Sequence, residues 1–210
     1  MSTPTLYYAP RTRAFTALWL LEELGVEYTL EAFAMNSGRH RRPDYLALNA
    51  LGKVPLVVHD GVPVSEIGAI AVYLSDAYPD AGWTPRIGDA DRAAWLRWIF
   101  FSSGVMEPAY AQKFFGWTPP DASVAWGSFD RMVEALKTGL EGRTWLLGDR
   151  FTTADVIVGA TTRFGLKFGA LPSTGLFADY VARLTARPAF ERASVIEARE
   201  SERFPPPSAT

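Results

Sequence analysis

The segment from Leu51 to Leu74, LGKVPLVVHDGVPVSEIGAIAVYL, constrains the fold more tightly than any other part of the chain. Two apolar, Val-rich runs flank Asp60-Gly61, and an Asp-Gly pair between such runs is a strong hairpin signal because the tight turn needs positive φ at both central residues. Val54 stands before Pro55. The proline ring pushes Val54 toward extended geometry, and an X-Pro bond is the one peptide type that keeps a cis form at small cost. A cis bond here presents the Val54 main chain outward, where its N–H and C=O can pair with an extended ligand as an added strand pairs with a sheet edge. Ser65 or Glu66 then opens a helix whose first N–H groups and positive dipole end suit a carboxylate. The segment therefore predicts a hairpin fused to a helix, with a place for a peptide-like ligand.

The chain before this segment predicts a β-α-β unit. Thr5 to Tyr8 read as a short strand that stops at Pro10. From Ala14 to Leu24, the apolar residues Phe15, Leu18, Trp19, Leu21 and Leu24 recur at helical spacing, and Gly25 sits where a C-terminal glycine belongs. Tyr28 to Phe33 read as a second strand, joined to the first by a right-handed crossover and so parallel to it. Pro43 to Leu48 are short and weakly helical, and the helix after the hairpin runs from Glu66 to Tyr78. The order β-α-β-α-β-β-α describes a mixed four-stranded sheet with helices.

The pattern changes at Pro79-Asp80-Ala81-Gly82, and turn formers continue through Gly88. The predicted organisation is an α/β domain over 1–79, a linker over 80–88 and an all-helical domain over 89–210. Five helices are expected there: Asp89 to Phe115, Ser123 to Glu141, Thr153 to Phe164, Leu176 to Thr185, and Ala189 to Ala198. Gly104 and Pro108 predict a bend in the first. Thr152 with Asp155 predicts a capping box, and Phe151 with Val156 a hydrophobic staple. The tail Pro205-Pro206-Pro207-Ser208 reads as a fraying end.

Composition removes several chemistries. A chain of 210 residues buries a core without staples, and its cysteine count of zero excludes a disulfide framework, a zinc-thiolate site and any protein thiol nucleophile. Thioredoxin and glutaredoxin chemistry go with it. A net charge of −2 gives no footprint for nucleic acid, and Arg39-His40-Arg41-Arg42 lacks the interleaved aromatics of such a patch. His40 and His59 have no metal-ligand spacing, so no metal is expected. The start MSTPTLYY is not a secretory signal, and no run approaches the ~18 apolar residues of a membrane span. The chain reads as soluble and cytoplasmic, with no nucleic-acid or membrane partner.

Lys53, Val54, Pro55 and Glu66, followed by Gly68-Ala69-Ile70, resemble the glutathione-binding half of the cytosolic glutathione S-transferases, of the bacterial type but without a catalytic Cys. The resemblance extends over nearly the whole chain. It implies a thioredoxin-like N-terminal domain, an all-α helical bundle, a homodimer, and glutathione as co-substrate with no metal. In that family the Val-Pro pair reads the cysteinyl backbone of glutathione, and an acid-hydroxyl pair holds its γ-glutamyl end. Glu66 supplies the acid. Ile67 departs from the Ser or Thr usual there and offers only its backbone N–H. Lys53 can reach the glycyl carboxylate as a point charge, and the Arg39–Arg42 run lies in the loop nearby.

The activity the resemblance implies is activation of the glutathione thiol, from a reference pKa of about 8.5 for a simple Cys, as a thiolate that attacks small hydrophobic electrophiles. The enzyme needs hydrogen-bond donors, not a nucleophile. By alignment with family openings, Thr12 falls where many members carry a catalytic Ser. Tyr8 corresponds to the catalytic Tyr of animal-type classes, and Arg13 to the catalytic Cys of a bacterial class. The sequence leaves these three open. Phe101, Tyr110 and Phe114, on an unusually aromatic stretch of the helical domain, are candidates to line the electrophile cleft. A second reading is a non-catalytic, transferase-like ligand-binding or interaction protein; a detoxifying transferase is the first.

Overall fold

The computed structural model describes residues 2–206, so the Pro207 and Ser208 part of the expected fraying tail lies outside the described residues. By its contacts the chain divides into two compact units: residues up to Ala81 together with those from Pro188 onward, and Gly82–Arg187.

The first unit is built on four strands, β1 (Thr5–Tyr8), β2 (Thr29–Ala32), β3 (Leu56–His59) and β4 (Val62–Ser65), in the order β2-β1-β3-β4. β1 and β2 are parallel, with Tyr8 opposite Ala32; β3 runs antiparallel to both β1 and β4. The hairpin turn has φ of 50 at Asp60 and 77 at Gly61, the double left-handed geometry its Asp-Gly sequence demands. Pro63 sits in β4, an edge strand, where a missing N–H is tolerated.

Helix α1 (Ala14–Leu24) crosses from β1 to β2 and ends at Gly25, whose φ of 66 lets its N–H return to the Leu21 carbonyl. The short α2 (Pro43–Leu46) and two 3₁₀ turns, Met35–Ser37 and Arg39–Arg41, follow β2. Around them Ala9, Phe33, Tyr45 and Leu56 form a buried cluster, against which Tyr7, Leu48 and Val54 pack. Helix α3 (Ile67–Ala77) leaves β4 and packs on α1.

The last helix, α9 (Pro188–Arg203), also packs on α1. Phe190 meets Phe15 and Trp19 edge-on at 5.5 and 5.1 Å, and Arg192 reaches the Glu22 carboxylate at 2.7 Å. The sequence had assigned this stretch to the helical domain; its apolar side instead completes the cover of α1.

The second unit holds α4 (Arg92–Phe101), α5 (Glu107–Phe115), α6 (Phe129–Leu140), α7 (Thr153–Lys167) and α8 (Leu176–Thr185). The predicted helix over 89–115 is two helices joined by a π turn, Ser102–Met106. Pro108 has no N–H to give to the Gly104 carbonyl, and a wider turn is one way to pass that gap. Within this turn Ser102 Oγ lies 2.7 Å from Thr161 Oγ1 of α7.

The capping box at α7 forms as expected: the Thr152 N–H donates to Asp155 Oδ2 at 2.9 Å and the Thr152 side chain serves the third residue in return. Most of the expected linker belongs to this unit, since the Thr153 N–H donates to the Trp83 carbonyl at 2.8 Å and Thr84 Oγ1 lies 3.2 Å from Thr153 Oγ1. Among the described residues no helix is long and apolar enough to cross a membrane.

Candidate functional site

Sheet topology gathers the sequence-predicted binding residues at one end of the first unit. β1 ends at Tyr8, so the Ala9–Arg13 loop leaves from that end. β3 is antiparallel to β1 and starts there, with Leu56 opposite Tyr7. β4 is antiparallel to β3 and finishes there, with Ser65 opposite Leu56. Val54 and Pro55 precede β3, Glu66 follows β4, and the chain after parallel β2 begins at the same end. No sequence separation needs to be short for these groups to meet.

The Val54–Pro55 peptide is cis. Val54 stands outside the β-ladder, which begins at Leu56, while the Lys53 carbonyl just before it is fixed by the Tyr45 hydroxyl at 2.6 Å and the Asn49 amide at 3.0 Å. These two buried side chains hold the main chain of the turn and leave the Lys53 side chain exposed. The Arg39–Arg41 turn lies directly beside it: a Cβ on Gly52, whose φ is 57, would come within 2.7 Å of the His40 carbonyl oxygen. Burial lowers the His40 pKa, and the positive Arg41 and Lys53 lower it further. Arg41 and Lys53 therefore lie together beside His40, while Arg39 and Arg42 pair with the Asp44 carboxylate at 3.0 and 3.6 Å.

Glu66 occupies the residue before α3 with φ 67 and ψ 121, a conformation that an L side chain seldom adopts. Its side chain is exposed. Ile67 is the first helical residue, so its N–H and the next ones at this end have no intrahelical partner. The arrangement offers a carboxylate and free N–H donors side by side.

Thr12 lies between β1 and α1, half-buried. Its hydroxyl donates to the Ala9 carbonyl at 2.7 Å and accepts the Ala14 N–H at 3.1 Å, so it caps the mouth of α1 from one residue outside the helix. Arg13 is the residue at the helix boundary, with helical backbone angles and no capping bond from its side chain. Tyr8 is turned the other way. It is fully buried and its hydroxyl donates to Glu197 Oε2 of α9. Burial first, and then the Glu197 carboxylate, push its pKa well above the phenol range.

The model of the Glutathione S-transferase, N-terminal domain, matches residues 2–76. The Glutathione S-transferase GST-4.5 of Xanthomonas campestris is 31% identical over 148 residues, which cover 66% of this chain and 72% of that protein. This chain belongs to the glutathione S-transferase family. Elongation factor 1-gamma of Prunus avium is 32% identical over 209 residues, 93% of this chain but 49% of the relative, so the chain spans about half of that protein's length. Among solved structures, the glutathione transferase of Methylococcus capsulatus is 26% identical with a TM-score of 0.76, covering 94% of this chain and 100% of that one. The fold is also that of the transferase URE2P6 of Phanerochaete chrysosporium in complex with oxidized glutathione, at 24% identity and a TM-score of 0.78, covering 95% and 98% of the two chains.

Two features of this family member escaped the sequence. On β1 the tyrosine that shares a face with Val54 is Tyr7: it meets Tyr45 edge-on at 5.5 Å, and the Arg39 guanidinium lies 5.9 Å from its ring. Strict alternation along β1, with Leu6 and Tyr8 buried on the side of α1, was the signal available for this. Glu197 is the second, and nothing local in the sequence marks it. Of the three aromatic candidates in the second unit, Phe101 is buried edge-on to Trp98, and Tyr110 is buried among Phe114, Phe129 and Phe164. Phe114 is the exposed one, packed on Phe164 and Phe168. Among the described residues no His, Cys, Asp or Glu group is arranged to hold a metal.

Proposed function

We propose that this member of the family is a glutathione S-transferase that ionises the glutathione thiol and directs it at small hydrophobic electrophiles. The observation that carries this is the meeting, at one end of the sheet, of the Val54 main chain, which stands outside the β-ladder, with the Glu66 carboxylate and the first N–H groups of α3. In this reading the Val54 main chain pairs with the cysteinyl residue, Glu66 and the Ile67 N–H hold the γ-glutamyl end, and Lys53 with the neighbouring basic turn attracts the glycyl carboxylate.

Thr12 is the proposed donor to sulfur. The Oγ proton now on the Ala9 carbonyl turns to the thiolate, while the Ala14 N–H continues to polarise the oxygen. The positive end of α1 and the Arg13 charge add to it. Tyr8, committed to Glu197, supports the loop from behind. The thiolate then displaces a leaving group from a small apolar electrophile. The protein works as a homodimer, to be checked by sedimentation equilibrium.

A second reading, a non-catalytic ligand-binding or interaction protein, is favoured by one residue: Ile67 removes the side-chain hydroxyl from the γ-glutamyl pocket. Calorimetric titration with glutathione followed by turnover of an activated aryl halide separates the two. Binding with turnover is expected. Binding without turnover across several electrophiles supports the second reading, and no heat with glutathione overturns the first.

A further inference from the structure

The Ala9–Arg13 loop is held from outside its own sequence neighbourhood. Arg11, a non-glycine residue, has φ of 62, a left-handed conformation that costs about 1–3 kcal/mol unless the surroundings hold it. What holds it is α9. The Arg11 N–H donates to Glu197 Oε1 at 2.7 Å, and the other oxygen of the same carboxylate accepts the Tyr8 hydroxyl. The Arg11 guanidinium donates to the Ser201 carbonyl at 3.2 Å and to the Phe204 carbonyl, at the end of α9 where cations are favoured. One carboxylate thus joins the last residue of β1 to the residue immediately before Thr12.

We infer that Glu197 is a positioning residue for thiolate formation: by fixing Tyr8 and the Arg11 peptide with its two oxygens, it sets where the Thr12 hydroxyl stands at the mouth of α1. This rests on the transferase reading above. A hydroxyl held by two short-range bonds inside a four-residue turn follows any change in that turn's backbone, and a donor displaced by about an ångström loses much of its effect on a charged acceptor. Among the described residues Glu197 makes no hydrogen bond or ion pair with Lys53, Val54 or Glu66, so it should act on ionisation rather than on ligand affinity. Its neighbour Glu200 is not equivalent, because that carboxylate is taken by Arg199 at 3.0 Å and Arg203 at 3.4 Å.

The test uses the full-length protein and the variants Glu197→Ala and Glu197→Gln. The pKa of bound glutathione is read from thiolate ultraviolet absorbance against pH, and kcat and KM for glutathione are measured with an aryl halide. For Glu197→Ala the thiol pKa is expected to rise by about one unit, equivalent to tenfold less thiolate below the pKa, with a matching fall in kcat and a KM within about twofold of the parent, as expected when binding and activation are separate. Glu197→Gln, which keeps one carbonyl for the Arg11 N–H and nearly the same volume, should recover most of the loss; should Glu197→Ala not fold, Gln with Tyr8→Phe beside it carries the same comparison. An unchanged thiol pKa in a folded Glu197→Ala protein overturns the inference and leaves the transferase reading standing. Equal losses of affinity and kcat, with no recovery in Gln, would make Glu197 a structural residue only and also overturn it. If the parent itself forms no thiolate with glutathione, both this inference and the proposed function fail.

Discussion

At the residue scale, strain and the proposed glutathione contact meet at Glu66. Its φ of 67 places it where glycine alone is comfortable. Glu66→Gly should therefore raise the stability of the fold by about 1 kcal/mol, through relief of that conformation, while weakening glutathione binding at least tenfold through loss of the carboxylate. Denaturant midpoints and calorimetry report the two effects separately, and a variant that loses both stability and affinity would contradict this account. Thr12 presents the opposite case, a residue whose hydroxyl caps α1 and is the proposed donor to sulfur. Thr12→Ala is expected to lower stability by about 1 kcal/mol as a lost cap and to raise the bound thiol's pKa by about one unit, less than a dry oxyanion site would give because the loop is half-exposed. Thr12→Ser retains the oxygen and should restore both; an unchanged thiol pKa in the Ala variant removes Thr12 from the role. The sequence located this loop because strand, proline and helix start follow one another in it. It did not separate Tyr7 from Tyr8, since their difference is which face of β1 each occupies, and a strand of four residues leaves the register to be fixed by its neighbours.

At the scale of elements, local chemistry was readable wherever it closes within a few residues. The Asp60-Gly61 turn, the Gly25 helix end and the Thr152–Asp155 box all have partners within four positions, and each forms as its sequence demands. The π turn at Ser102–Met106 was legible only as a bend, because whether Gly104 and Pro108 give a kink or a wide turn depends on the packing of Ser102 against α7. Asp155 shows how far tertiary context then changes a local motif. Its carboxylate accepts from the Leu146 N–H at 2.9 Å and the Tyr180 hydroxyl at 3.0 Å, yet burial dominates and raises its pKa to about 6. The native state therefore retains a proton that the unfolded chain has released from 3.8 upward, so this group's contribution to stability is full below 3.8 and is lost as pH rises through about 6. Asp155→Asn should flatten that part of the stability-against-pH curve while lowering stability throughout by about 1–3 kcal/mol, because the Thr152 N–H loses its acceptor. Chemical denaturation at several pH values checks both. A third element-level expectation concerns α6: a Cβ on Gly139 would lie 2.3 Å from the ring of buried Trp98. Gly139→Ala gains about 1 kcal/mol of helix propensity but overpacks the core by about 1–3 kcal/mol, so a net loss in melting temperature is expected.

At the scale of the molecule, the chain order is first unit, second unit, first unit again. Sequence reading could not show this. The apolar residues of α9, Ala189, Phe190 and Ala193, suit any helix packed on one side, and nothing in their spacing tells whether that side faces the nearest helices or α1, more than 160 positions earlier. The consequence is physical. Trp19 owes part of its burial to Phe190, Glu22 is paired with Arg192, and the Ala9–Arg13 loop is fastened by Glu197. Cooperative opening follows contacts rather than sequence proximity. Native-state hydrogen exchange should therefore show the amides of α9 opening together with those of β1 and α1, with the same denaturant dependence, and apart from those of α7 and α8. Removal of the chain from Pro188 onward should expose Trp19, seen as a red shift of its fluorescence, and abolish glutathione binding even though every residue proposed to touch glutathione remains. If α9 instead exchanges in step with α8, or the shortened chain keeps its affinity, the last helix is an appendage and the site does not depend on it.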